Sequence, residues 1–147
     1  IRDATADDIP GIVQIIAPLE QQGILVRRER DRLEGEIGRF FVIESGGNIL
    51  GCAALYPFPD ESTAELACLA VNPFYRDGGR GERLLAFAEA RARQAGFRTL
   101  FVLSTRTTHW FIERGFAEAD IARLPARKQS LYNYERRSKI FMKGLQP

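Results

Sequence analysis

The sequence predicts an α/β (α+β) protein, one mixed sheet with helices on both faces, and three observations carry that expectation. The run Glu65 to Asn72 (ELACLAVN) is apolar nearly throughout, as a central strand covered on both sides should be. After a glycine-rich loop, Gly81 to Ala95 places Leu84, Leu85, Ala88, Ala92 and Ala95 on one helical stripe. Gly96 then stops the helix and a second buried run, Thr99 to Ser104, follows. Strand, loop, helix and strand in that order make a right-handed parallel crossover.

The remaining elements follow from local signals. Ile1 to Ala4 is strand-like. Thr5 with Asp8 three residues later suits a helix start, since their side-chain oxygens accept from free first-turn amides. Ile9, Ile12, Val13 and Ile16 recur at helical spacing, and Pro18 is expected to end the stretch. Arg28 to Ile37 predicts a second helix with Leu33 and Ile37 inward. Phe40 to Glu44 and Ile49 to Tyr56 predict a hairpin turned at Gly46-Gly47-Asn48 and broken by Pro57 and Pro59. Past Ser104, Thr107 to Arg114 predicts a short helix stopped by Gly115. Arg127 to Arg137 is basic and partly helical, and Ile140 to Met142 lies in a last strand.

Composition bounds the function. The 147 residues suit one domain, spanning 1–147, and 45% hydrophobic with 27% charged is a globular balance. A net charge of +2 is too near neutrality to argue for nucleic acid or a membrane surface, so any basic site must be built by position. Cys52 and Cys68 sit in apolar runs and read as small buried hydrophobes. His109 is the single histidine and no Cys/His spacing suits a metal. A cytoplasmic setting is the default reading. The chain opens at Ile1 without a methionine, which leaves open that it is a piece of something longer.

The loop Arg76-Asp77-Gly78-Gly79-Arg80-Gly81 joins the buried strand to a helix N-terminus. Glycines let backbone approach a ligand, amides point at it, and the helix dipole attracts anions, so the loop reads as a pyrophosphate cradle. Arg76 and Arg80 add guanidinium contacts. Glu82, in the first helical turn, suits the dipole but should point away from the phosphates. A Walker loop would need Lys-Ser/Thr where Glu82-Arg83 stand, and a dinucleotide fingerprint would need an acidic residue where Ser104 stands. A plain glycine-rich connection with solvated arginines is the alternative; strand context and the amphipathic helix favour the cradle.

Arg76-x-x-Gly79-x-Gly81 resembles the Q/R-x-x-G-x-G/A motif of the GNAT acetyltransferases, and the element order agrees over the whole chain. The resemblance implies acetyl-CoA as cosubstrate and a mostly antiparallel sheet whose fourth strand is bulged and splayed from the fifth. The pantetheine arm would lie in the gap, near Cys68, Leu69, Ala70 and Val71, with an amide of Cys68 or Leu69 meeting the thioester oxygen. Three further stretches, Pro18 to Arg28, Thr105 to Phe111 and Leu131 to Lys139, are similar to the acetyltransferase portion of the bacterial N-acetylglutamate synthase family. That similarity implies L-glutamate as the acceptor. It also implies a possible homo-oligomer or a covalent N-terminal regulatory domain in the full protein.

On that resemblance, Glu65 is the expected base, because an amino acid reaches the site as an ammonium ion. A solvated strand-end charge is its bland alternative. Many GNATs place an acidic tyrosine where this chain has Phe111, which has no proton to give. Ser104 is the substitute, with Tyr132 behind it; a thiolate leaving unaided stays open, as does Ser104 bonding only backbone. Glutamate's two carboxylates need separated cations: Arg28 at one end, and Arg136, Arg137 or Lys139 at the other, with Ser138 adding a hydroxyl. His109 and Trp110 are expected to pack under the cosubstrate arm. Cys68 as an acyl-carrying nucleophile lacks a nearby base. Acetylation of another small amine or peptide terminus, and a non-catalytic acetyl-CoA-binding module, remain the competing readings.

Overall fold

The structure, a computed structural model, describes residues 1–25, 27–104, 108–129 and 138–146, and the side chains of Arg76 and Asp77 are outside it. A seven-stranded sheet in the order β1-β2-β3-β4-β5-β7-β6 forms the middle layer. Its strands are β1 (Arg2–Asp3), β2 (Phe40–Ser45), β3 (Asn48–Phe58), β4 (Thr63–Val71), β5 (Thr99–Ser104), β6 (Ala117–Ala119) and β7 (Lys139–Gly144). Among the described residues five α-helices, α1 (Ile9–Gln21), α2 (Arg30–Glu36), α3 (Arg80–Gln94), α4 (Thr108–Glu113) and α5 (Ala126–Gln129), accompany them.

The expected hairpin is present, with Ser45 opposite Asn48 and both Gly46 and Gly47 at positive φ. Such a turn matches the twist of its strands only when both central residues are left-handed. The Thr5 amide donates to Asp8 Oδ2 at 2.7 Å, as the helix-start signal predicts.

Two prolines depart from expectation. Pro18 lies inside α1 rather than ending it. Its missing N–H removes one bond near the last turn, and burial of Ile12, Ile15 and Ile16 on the sheet outweighs that loss. Pro57 lies inside β3, opposite Ala64 of β4. Pairing with β2 stops at Ala54, so the missing amide costs β3 no bond to β2 there. The second helix is also shorter than expected: α2 starts at Arg30, leaving Arg28 on the linker, and Ile37–Arg39 continues as a 3-10 turn.

Between the sheet and α3, Phe41, Ala53, Leu66, Leu84, Ala88 and Val102 pack together. On the other face Ile12, Ile16, Leu33, Val42, Cys52 and Ala54 do the same. β4 pairs with β5 in parallel only over Thr63–Glu65, against Thr99–Phe101. Beyond Glu65 the two strands splay. β4 also carries a bulge: Ala54 faces Ala67 but Cys52 faces Ala70, so Cys68 and Leu69 share the place opposite Ala53. One extra residue reverses the side-chain faces. Leu66 therefore packs toward α3, whereas Cys68 and Ala70 pack toward α1.

Candidate active site

The splay opens a cleft of about 700 Å³ beside the outer half of β4. Leu69, Ala70 and Val71 form one wall, Gly79, Gly81 and Glu82 the end at α3, and Trp110 and Phe111 of α4 the opposite side. Leu19, Gln22 and Ile24 close it from α1 and its linker. The cleft is therefore assembled from the strand edge that β5 leaves unpaired.

At its end, Gly79 is the N-cap of α3 with φ +69°, a conformation that favours glycine, and offers no side chain to the first-turn amides. At Gly81 an added Cβ would lie 3.5 Å from Trp110 Cζ2. Backbone donors and the positive helix end thus face the cleft without cover, which fits a pyrophosphate-bearing cosubstrate. Arg80 does not border the cleft: its Nη1 donates to the Tyr75 carbonyl at 2.9 Å and its guanidinium lies over the Tyr75 ring. A side chain at the start of a helix leans back over the preceding turn. Gly78 lies under that same side chain. Glu82 borders the cleft, and its carboxylate is ion-paired by Arg114, whose guanidinium stacks 4.0 Å from the Trp110 ring.

A second cavity, about 540 Å³, opens on the α2 side of the sheet. Arg28, Arg32, Glu36, Tyr56, Glu65 and Lys128 line it. Glu65 is only 7% exposed and is the third residue of β4 rather than its first, opposite Tyr56. Lys128 Nζ lies 3.0 Å from Glu65 Oε1. Tyr56 donates from its hydroxyl to Glu36 Oε1 at 2.7 Å, and Arg28 lies over the Tyr56 ring at 5.9 Å. Glu20 Oε2 accepts the Arg28 amide at 2.8 Å, tying the linker back to α1. Burial opposes the Arg28 charge, but Cys68, Tyr56 and Glu65 beside it prevail and raise its pKa. Burial likewise pushes the Tyr56 hydroxyl well above its ordinary range.

The structure thus brings Glu65 and Arg28 to one cavity and adds Tyr56 and Lys128, which local sequence did not single out. Tyr56 arrives through the β3–β4 register and Lys128 through the return of α5, and neither carries a sequence signal. Cys68 is 3% exposed and burial pushes its thiol up to about 11, so at neutral pH it is a packed thiol and not a nucleophile. Ser104 ends β5 opposite Lys139, and Ser138 directly precedes that residue; both are buried, and neither borders the two cavities. Strand alternation sets Ser104 on the side of Leu100 and Val102, while Glu65 shares the side of Phe101.

Phe111 packs edge-on between Trp110 and Phe116, at 5.0 and 5.4 Å. His109 is exposed and paired with Glu113 rather than packed under the cleft, because it sits on the outer face of α4. Arg136, Arg137, Tyr132 and the stretch 105–107 lie outside the described residues. No helix among the described residues is long and apolar enough to cross a membrane.

Comparison with known proteins agrees with this geometry. A model of the acetyltransferase (GNAT) family matches residues 10–116. Curated amino-acid acetyltransferases of Azotobacter vinelandii and Pseudomonas putida are 59% and 61% identical over 145 residues, 99% of this chain and 34% of theirs. The chain therefore spans about a third of the length of these relatives. An N-acetylglutamate synthase of Neisseria gonorrhoeae, solved with coenzyme A and N-acetyl-glutamate, superposes with a TM-score of 0.96 at 46% identity. That match covers 99% of this chain and 35% of the other.

Proposed function

The chain belongs to the GNAT acetyltransferase family, and from that footing we propose that it moves the acetyl group of acetyl-CoA to the α-amine of L-glutamate. The reaction is the first step of arginine biosynthesis and runs by direct transfer in a ternary complex. The observation that carries the reading is the cavity lined by both a buried carboxylate, Glu65, and a half-buried guanidinium, Arg28. The gonococcal synthase solved with N-acetyl-glutamate supports glutamate as the acceptor.

Acetyl-CoA supplies an activated thioester. Everything else is done by the chain. Arg28 pairs with a carboxylate of the acceptor, and Arg136 and Arg137 serve the other, with Ser138, which borders neither cavity, supporting them. Glu65 takes the proton from the acceptor ammonium, freeing the lone pair that attacks. Leu69 to Val71 offer backbone to the cosubstrate arm, with an amide at Cys68 or Leu69 polarising the carbonyl. Gly79 and Gly81 form the phosphate end with Arg76, and Asp77, Gly78, Arg80 and Glu82 serve it by their backbone, the Arg80 side chain being held by Tyr75 and the Glu82 side chain by Arg114. The second amine proton reaches the departing thiolate through water relayed by Ser104, which borders neither cavity itself. For the full protein the reading includes a homo-oligomer or a covalent N-terminal regulatory domain; the relatives are about three times as long as this chain. The setting is the cytoplasm.

A screen of amines for thiol release from acetyl-CoA tests this. Glutamate should be the preferred acceptor; release with another amine and none with glutamate would overturn the reading.

A further inference from the structure

The bulge of β4 leaves one residue in an uncommon state. Cys68 has φ +54°, in the left-handed region that side-chain-bearing residues seldom adopt, and the ladder register is broken around it. Such a conformation persists only where its surroundings over-determine it. A side chain that contacts it there lies on the adjacent strand. Cys52, on β3 and wholly buried, donates its thiol to the Cys68 carbonyl oxygen at 3.5 Å. Burial, with Cys68 beside it, holds the Cys52 thiol in its protonated, donating form.

The consequence follows from the planarity of the peptide. The Cys68 carbonyl and the Leu69 amide belong to one trans unit and point in opposite directions. Anchoring the carbonyl toward β3 therefore aims the Leu69 N–H away from β3, toward the edge that β5 leaves open and the cleft that Leu69 lines. We propose that Cys52 is a positioning residue: its thiol, by holding the Cys68 carbonyl, orients the Leu69 amide toward the thioester oxygen of acetyl-CoA. This rests on the acetyltransferase reading and extends it to a residue outside both cavities.

The test compares the protein with its Cys52→Ser, Cys52→Ala and Cys52→Val forms by difference infrared spectroscopy of bound carbonyl-labelled acetyl-CoA. Serine keeps a donor, alanine removes it, and valine removes it at similar volume, which separates hydrogen bonding from packing. The thioester stretch should fall on binding to the unaltered and serine proteins, and most of that fall should vanish with alanine and valine. Turnover should drop about tenfold in the donor-free forms, with KM for acetyl-CoA changed by less than about twofold. A bound frequency in Cys52→Val equal to that of the unaltered protein would overturn the proposal. So would a serine form as impaired as valine. The infrared measurement uses no acceptor, so a failed glutamate assay leaves it decisive.

Discussion

Lys128 Nζ stands 3.0 Å from Glu65 Oε1, and this pair lines the cavity that Arg28 also lines. The pair sets a cation against the carboxylate proposed above as the base. Glu65→Gln keeps the shape and removes the proton acceptor. Turnover should fall by roughly a hundred- to ten-thousand-fold with acetyl-CoA affinity unchanged, measured by thiol release and calorimetry. Intact turnover would exclude Glu65 as the base.

Arg28 is half-buried over Tyr56 and has its amide fixed by Glu20. Arg28→Ala should raise KM for glutamate by at least about tenfold, the scale of one lost charge-assisted pair, and leave acetyl-CoA binding alone. Weakened acetyl-CoA binding in its place would put Arg28 at the wrong cavity.

Ser104→Ala should lower turnover about tenfold if its hydroxyl reprotonates the thiolate. Phe111→Tyr should not restore the loss, because that ring is held between Trp110 and Phe116. Recovery of turnover in the double variant would return the acid role to the position of residue 111.

Gly79→Val forces a side chain onto a backbone at φ +69° where the first amides of α3 face the cleft. Coenzyme A affinity should fall at least about tenfold by titration calorimetry, the strain alone costing about 1–2 kcal/mol. Unchanged affinity would remove this loop from the phosphate site.

Asp8 is buried and accepts from both Arg2 guanidinium nitrogens and the Thr5 amide. The Arg2 hydrogen bond, foremost, lowers its pKa from 3.8 to about 2. A depressed carboxyl stabilises the fold above its unfolded pKa, and that contribution is lost as pH falls from about 4 toward 2. Its size is about 1 kcal/mol once screening of the half-exposed Arg2 is allowed for. Asp8→Asn should lower the melting temperature at pH 7 and converge on the unaltered protein near pH 2; an equal gap at both values would refute the linkage.

By itself the sequence determined what is local. The strand Thr99–Ser104 appears with the expected bounds, and the glycine-rich junction before α3 was legible because strand, glycines and helix all lie within one short segment. The prolines misled for the complementary reason. Their intrinsic cost is local, but whether it ends an element depends on burial, as at Pro18, or on whether the neighbouring strand still pairs, as at Pro57. Only the tertiary structure decided the rest. A single extra residue at Cys68 turned the outer half of β4 over, β5 parted from β4 after Glu65, and α5 returned to set Lys128 against the carboxylate. Those outcomes are set by register and packing between distant segments, where side chains meet that share no local pattern.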